Sequence, residues 1–280
     1  MELWGITLPD EELSAAEREE ISFWQKKPVP AVQDVWRRMD DVWQQMGLMD
    51  TATDEELGRY YHHPVWLMNG VFTAADPLSG RQRAAIADFL VSAGCRRIAD
   101  YGGGFGTLAM DIARRYPAIR TELVEPYPRP VAVRLWRTLP NLYPTPDLTG
   151  LYDAIVAEDV LEHVRDPVGL AGQIAEALSP QGIGLFANCF FPVIRCHLPE
   201  TFFLRHTFAW VVAPLGLVHE GQLPNVEHAL VFRRNDATPD LPAARRRAAW
   251  ARLVALVLNP AIHGAWSLKV ALLGTRKVAS

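Results

Sequence analysis

The segment Ile98-Ala99-Asp100-Tyr101-Gly102-Gly103-Gly104-Phe105-Gly106-Thr107 sets an acidic side chain just ahead of a run of glycines. Glycine lets a backbone turn sharply and approach a ligand that a Cβ would block. Taken alone, Gly104-x-Gly106-x-x-Ala109 fits a dinucleotide fingerprint. Asp100 argues otherwise, because a carboxylate there can receive a ligand's amino group but would repel a pyrophosphate. Glu125 ends Leu123-Val124-Glu125-Pro126, a position from which an acidic side chain can accept both hydroxyls of a ribose. A third segment runs from Tyr152-Asp153 through Glu158-Asp159 to Leu161-Glu162-His163-Val164. It reads as a buried strand entering a loop and a helical turn. Asp159-x-x-Glu162 also has the spacing of a capping pair, so Asp159 is both a cap and a ligand-contact candidate.

Histidine is the side chain that exchanges protons near neutral pH. His163, His197 and His206 are the candidate bases, with His62 and His63 in the aromatic stretch Tyr60-Tyr61-His62-His63-Pro64-Val65-Trp66. No His, Asp or Glu grouping has a firm metal-ligand spacing, and no metal is expected. Cys95, Cys189 and Cys196 are too few for a disulfide framework. Cys189 and Cys196 flank Phe190-Phe191-Pro192-Val193-Ile194, an apolar segment suited to walling a pocket. Tyr60, Tyr61 and Trp66 suit either a lid over a ligand or the joint between a helical cap and the core.

These residues need a scaffold. Residues 1–80 read as a helical cap. Val32, Val35, Trp36, Met39, Val42, Trp43 and Met46 fall on one helix face, and Thr53-x-x-Glu56 is a capping box. From 81 to 235 short apolar strands alternate with helices. Strands are expected at Arg97–Asp100, Thr121–Val124, Tyr152–Ala157, Gly182–Asn188, Leu217–Leu223 and Glu227–Arg233, the last two antiparallel neighbours. Helices are expected at Arg81–Ala93, from the glycines to Arg115, at Pro167–Leu178 behind an Asp166 N-cap, and at Glu200–Val212. Such alternation predicts an α/β fold, a doubly wound parallel sheet with helices on both faces. Residues 236–280 form a C-terminal helical extension in which Arg245-Arg246-Arg247 precedes two apolar runs parted by Pro260.

The motifs together resemble the class I S-adenosylmethionine-dependent methyltransferases, over roughly Arg81 to Arg234. Asp100-x-Gly102-x-Gly104-x-Gly106 resembles their first motif, and Glu125 their ribose-binding acid. Tyr152-Asp153 through Leu161-Glu162-His163-Val164 is similar to the fourth-strand segment of the small-molecule branch. Leu178-Ser179-Pro180-Gln181-Gly182-Ile183-Gly184-Leu185 is similar to the entry to the fifth strand. The resemblance implies a Rossmann-like seven-stranded sheet. It implies S-adenosylmethionine as cofactor, held by Asp100, Gly102, Gly104, Gly106 and Glu125, with Glu158 or Asp159 beside the sulfonium, and S-adenosylhomocysteine as product. The family's adenine-binding acid after the third strand has no counterpart that aligns within the proline-rich Leu139–Asp147.

The function expected is methyl transfer to an oxygen or nitrogen of a small-molecule acceptor, a sugar or secondary metabolite. The alternatives are an NAD-dependent oxidoreductase and a non-catalytic methyltransferase-like assembly protein. Twenty-eight basic and 32 acidic residues give a formal charge of −4. That balance offers no attraction to nucleic acid. With 49% hydrophobic and 21% charged residues, the 280-residue chain can bury a large core. No secretory signal and no uninterrupted spanning run are seen, so a cytoplasmic protein is expected. The arginine cluster beside an apolar helix is weighed as a membrane-surface element, but the tail is expected to pack on the protein or on a second copy, giving a homodimer through the helical extensions.

Overall fold

The computed structural model describes residues 1–256. A seven-stranded sheet organises the chain. Its strands are β3 (Arg97–Tyr101), β4 (Arg120–Val124), β5 (Leu142–Thr145), β6 (Tyr152–Glu158), β7 (Leu178–Ala187), β8 (Leu217–Leu223) and β9 (Val226–Arg234), in the spatial order β5-β4-β3-β6-β7-β9-β8. Neighbours from β5 to β7 are parallel, and β9 runs antiparallel to both its neighbours. The expected α/β class and doubly wound sheet are therefore observed. The interior strands are buried on both faces, with Ala154, Ile155, Val156 and Ala157 inaccessible, as a sheet covered on two sides requires. Strand order reverses between β3 and β6, paired through Ile98–Ala154 and Asp100–Val156. The carboxyl ends of such strands splay into a crevice where this fold class binds ligands.

The helices start where side chains can satisfy their free N–H groups. α5 spans Pro77–Ser92, capped by Asp76, which accepts from Ser79 N, so residue 80 lies inside it. α6 (Thr107–Arg115) begins directly from left-handed Gly106, and α7 covers Pro130–Trp136. α8 (Pro167–Ala177) is capped as expected, Asp166 accepting from Gly169 N at 2.9 Å. The helix expected over 200–212 is broken. A 3₁₀ turn over Pro199–Leu204 gives way to a short α9 (Phe208–Val212) and a second turn over Ala213–Leu215. Thr207 Oγ1 donates to Phe203 O at 2.6 Å across the break. β7 starts earlier than expected because the Ser179-to-Gly182 turn folds into the strand, with Gln181 left-handed.

The N-terminal region contains a short hairpin, β1 (Glu2–Leu3) with β2 (Ile6–Thr7), which the helical reading lacked. α1 (Ala15–Gln25), α2 (Val32–Gln45), α3 (Asp54–Tyr61) and α4 (Pro64–Ala75) follow. The Thr53–Glu56 capping box forms, and Ser14 with Glu17 makes a second. The predicted α2 stripe buries Val35, Met39, Val42 and Trp43 against Tyr60, whose hydroxyl donates to Met39 O. Burying such a side chain stabilises by roughly 1.5–3 kcal/mol. Arg38 pairs with Glu20 inside the cap, and Arg129 with Glu17 across the seam to the core.

Among the described residues the last helix, α10, takes in 241–256. Ala244, Ala248, Ala251 and Ala255 bury its inner face on the core, while Trp250, Leu253, Val254 and Leu256 are exposed. Arg245 pairs with Asp166, and Arg247 donates to Trp210 O. The described part of the tail thus packs on the protein itself. The second apolar run, Ala265–Leu273, and Pro260 lie outside the described residues. Among those described, no helix is long and apolar enough to cross a membrane.

Candidate active site

Asp100, next to last in β3, is almost fully buried, and its Oδ2 accepts from Ala109 N at 3.1 Å within α6. Burial, reinforced by Glu125, pushes its carboxyl up to about 7. The loop beyond it holds Gly102, Gly104 and Gly106 at φ of 69°, 56° and 80°. These are left-handed values that favour glycine. What lies beyond each missing Cβ differs. At 102 it would meet Val160 Cγ2 at 2.7 Å, and at 106 the Trp136 Nε1 at 2.6 Å; at 104 nothing stands within 4 Å. Gly104 alone of the three faces open space, and Gly106 is a packing position beneath Trp136. That indole donates to Phe105 O at 2.9 Å and fixes the loop from behind.

Glu125 follows β4 and faces the same loop. Its carboxylate accepts from Gly104 N and Tyr127 N, both at 2.7 Å. Burial raises its pKa, and those backbone donors hold the rise back. Tyr127 stacks on Tyr61, with ring centroids 5.6 Å apart. Arg129 then donates to Glu17, Tyr61 O and His63 O. Above the loop, α4 presses Gly70 against Phe105 so closely that a Cβ at position 70 would overlap the Phe105 side chain. The cap is thereby seated on the glycine loop. Neither contact leaves a local sequence signal.

The ends of β6 and β7 form the opposite wall. Burial, with Asp159 and Asp100 nearby, pushes the Glu158 carboxyl up to about 8. Asp159 opens onto the cavity though ringed by protein, and that surrounding raises its carboxyl. Its φ of 50° is uncommon for a non-glycine residue and the kind of outlier concentrated at functional sites. The expected Asp159–Glu162 cap does not form. The 3₁₀ turn Leu161–His163 starts at Val160 without a side-chain cap. Glu162 turns inward beside the Asp159 carboxyl, its Oε1 accepting from Cys189 N at 2.7 Å, and burial together with Asp159 pushes it up to about 8.

His163 and His197 meet here, ring centroids 4.9 Å apart. Burial, reinforced by His197, lowers the His163 pKa to about 3, and burial lowers His197 as well. Both rings stay neutral at pH 7. The third candidate, His206, is exposed and does not line the cavity. His63 caps α4, accepting from Val65 N, and His62 packs edge-on to Tyr127 outside the cavity. Burial lifts the Cys189 thiol to about 12 and Cys196 higher still, so neither is a thiolate nucleophile.

Cap and core together enclose a cavity of about 1250 Å³. Asp100, Gly104, Glu125, Glu158, Asp159, His163 and His197 line it. From the cap, Tyr61 and Trp66 contribute, and their Oη and Nε1 atoms are buried without partners. So does Asn188 after β7, both of whose amide atoms are unpaired. Buried polar atoms are normally satisfied, so this concentration marks a surface built for a polar ligand. Arg83, buried through bonds to Asp111 and Thr73 O, adds a cation to the wall. Near the Leu139–Asp147 segment, Asp147 stands close enough to Tyr101, a lining residue, to help raise its phenol after burial and ahead of Glu125.

Comparison with known proteins gives a domain match and a likeness of fold. Residues 73–193 match a family model described as a methyltransferase domain. An O-methyltransferase family protein from Burkholderia thailandensis superposes with a TM-score of 0.52 at 16% identity, over 74% of this chain and 69% of that one. That likeness shows the fold. An amino pentose methyltransferase from Micromonospora echinaspora aligns at 0.41 and 15% identity, over 55% and 91% of the chains. A putative sarcosine dimethylglycine methyltransferase from Galdieria sulphuraria aligns at 0.43 and 15%, over 72% and 99%. No match was found among curated proteins.

Proposed function

We propose that the chain, of which residues 73–193 match a methyltransferase domain, is an S-adenosylmethionine-dependent enzyme that methylates an oxygen or nitrogen of a small-molecule acceptor, a sugar or secondary metabolite. The observation that carries this reading is the union of Asp100, Gly104 and Glu125 at the sheet's switch point, open to a cavity large enough for cofactor and acceptor together.

The residues present fit S-adenosylmethionine. The space above Gly104 admits a ligand against bare backbone. Asp100 would receive the methionine ammonium, and Glu125 both ribose hydroxyls, exchanging its bonds to Gly104 N and Tyr127 N for them in part. Gly102 and Gly106 shape the loop, and Glu158 and Asp159 would face the sulfonium. When bound, the cofactor supplies a methyl group already activated by positively charged sulfur, so positioning is the main task left to the protein. Tyr61 and Trp66 close the cap side and keep water from the reacting atoms. His163 and His197 would orient the acceptor group rather than take its proton, since their Nδ1 atoms bond backbone carbonyls and His163, held to about 3, is a weak base. His206 has no part in this site.

The test is a thermal-shift and turnover pair. S-adenosylhomocysteine should raise the melting temperature, and S-adenosylmethionine with a panel of hydroxylated and amino acceptors should yield S-adenosylhomocysteine. Stabilisation by NAD instead would restore the oxidoreductase alternative. Cofactor binding without turnover on any acceptor would favour the assembly role.

A further inference from the structure

We propose that Glu162, His163 and His197 form a binding site for one first-row divalent transition metal, which serves as Lewis acid to the acceptor group in the cavity. One ligand atom of each residue lies within 4.8 Å of the others. The orientation of each group is what a metal site needs. His163 Nδ1 sits 3.1 Å from Cys196 O, and His197 Nδ1 sits 2.8 Å from Phe191 O. A carbonyl only accepts, so Nδ1 carries the proton on both rings and Nε2 keeps its lone pair. Metal-binding imidazoles are held in this way, the far N–H donated to a carbonyl that fixes tautomer and angle.

Glu162 completes the set. It is wholly buried, one oxygen accepts from Cys189 N, and the other is reached by no backbone or amide donor, its neighbour being the Asp159 carboxyl. A carboxylate oxygen left without such a donor at that depth costs stability unless a ligand completes it. Two imidazoles and a carboxylate favour zinc or iron(II) over magnesium or calcium, which prefer all-oxygen sites. Filled sites have metal–ligand distances of about 2.0–2.2 Å, so the cluster would contract by roughly an ångström on binding. Three protein ligands leave coordination positions open, and the cluster borders the cavity wall of Tyr61 and Trp66, whose rings lie 6.2 and 6.0 Å from that of His163. Glu162 and His163 adjoin on one turn while His197 arrives from beyond β7, so linear spacing hides the site.

The consequence for catalysis rests on the methyltransferase reading. An acceptor hydroxyl in an open position is acidified by the cation. Its proton passes to water, its oxygen pair forms the bond to the methyl carbon, and the carbon–sulfur bond breaks with its pair remaining on sulfur.

The experiment titrates chelator-treated full-length protein with Co²⁺, followed by visible absorption and calorimetry, with Zn²⁺ as competitor. One Co²⁺ per chain with ligand-field bands is the expected result, displaced by Zn²⁺ and weakened more than about tenfold in His197→Asn and in Glu162→Gln. A retained melting shift with S-adenosylhomocysteine certifies that each variant is folded. Absence of stoichiometric Co²⁺ binding by the wild-type chain overturns the site, as does unchanged affinity in both folded variants. If S-adenosylhomocysteine fails to stabilise the wild type, the methyltransferase reading fails whatever the metal result. If cofactor binds and the chelated enzyme turns over at its full rate, only the metal inference fails.

Discussion

Gly70 of α4 and Phe105 of the glycine loop lie so close that a Cβ on Gly70 would stand 2.3 Å from Phe105 Cβ and 2.9 Å from its Cγ. The contact joins the helical cap to the segment that would carry the cofactor, so a change in one must be felt in the other.

Gly70→Ala should therefore act at a distance. The added carbon must displace Phe105 or α4, and overpacking of this kind costs about 1–3 kcal/mol. We expect a lower melting temperature together with weaker S-adenosylhomocysteine binding by calorimetry. A variant with lowered stability but unchanged affinity would show that the cap does not set the shape of the loop.

Glu125→Ala removes a carboxylate that bonds Gly104 N and Tyr127 N. Loss of charged hydrogen bonds to the ligand should weaken S-adenosylhomocysteine by about 1–3 kcal/mol. Equal calorimetric affinities in variant and wild type would remove Glu125 from the site.

Asp100 gives the pH prediction. Its carboxyl holds a proton up to about 7 when folded, against an ordinary value of 3.8. The folded chain thus binds more protons than the unfolded chain between those limits. Stability from this group is present below about pH 4 and declines as pH rises through 7. Denaturant titrations of wild type and Asp100→Asn from pH 4 to 8 should show a shallower decline in the variant. Parallel curves would mean that Asp100 titrates normally.

The motifs legible in the sequence are those whose physics is local. The glycine loop, Glu125, the Thr53 and Asp166 caps and the β8–β9 pair each announce themselves within a few residues. β5 stayed hidden because Leu-Tyr-Pro-Thr carries Pro144, which a central strand would refuse. Its place at the sheet edge tolerates a missing donor. The same segment obscured Asp147 near Tyr101. Gly106 looked like a ligand contact, yet it is small because Trp136, thirty residues onward in sequence, lies beneath it. The meeting of Glu162 and His163 with His197 arises only when the loop after β7 folds back, a fact of topology with no periodic trace.

Arg129 gives the seam between cap and core a particular mechanical character. One guanidinium reaches the Glu17 carboxylate and the carbonyls of Tyr61 and His63 at once, from the segment just beyond Glu125. Parting the two sides at this point ruptures all three bonds in a single event. Contacts strewn along a seam let it peel by degrees, whereas a shared anchor gives it a threshold. At that one point cap and core are fastened as by a clasp.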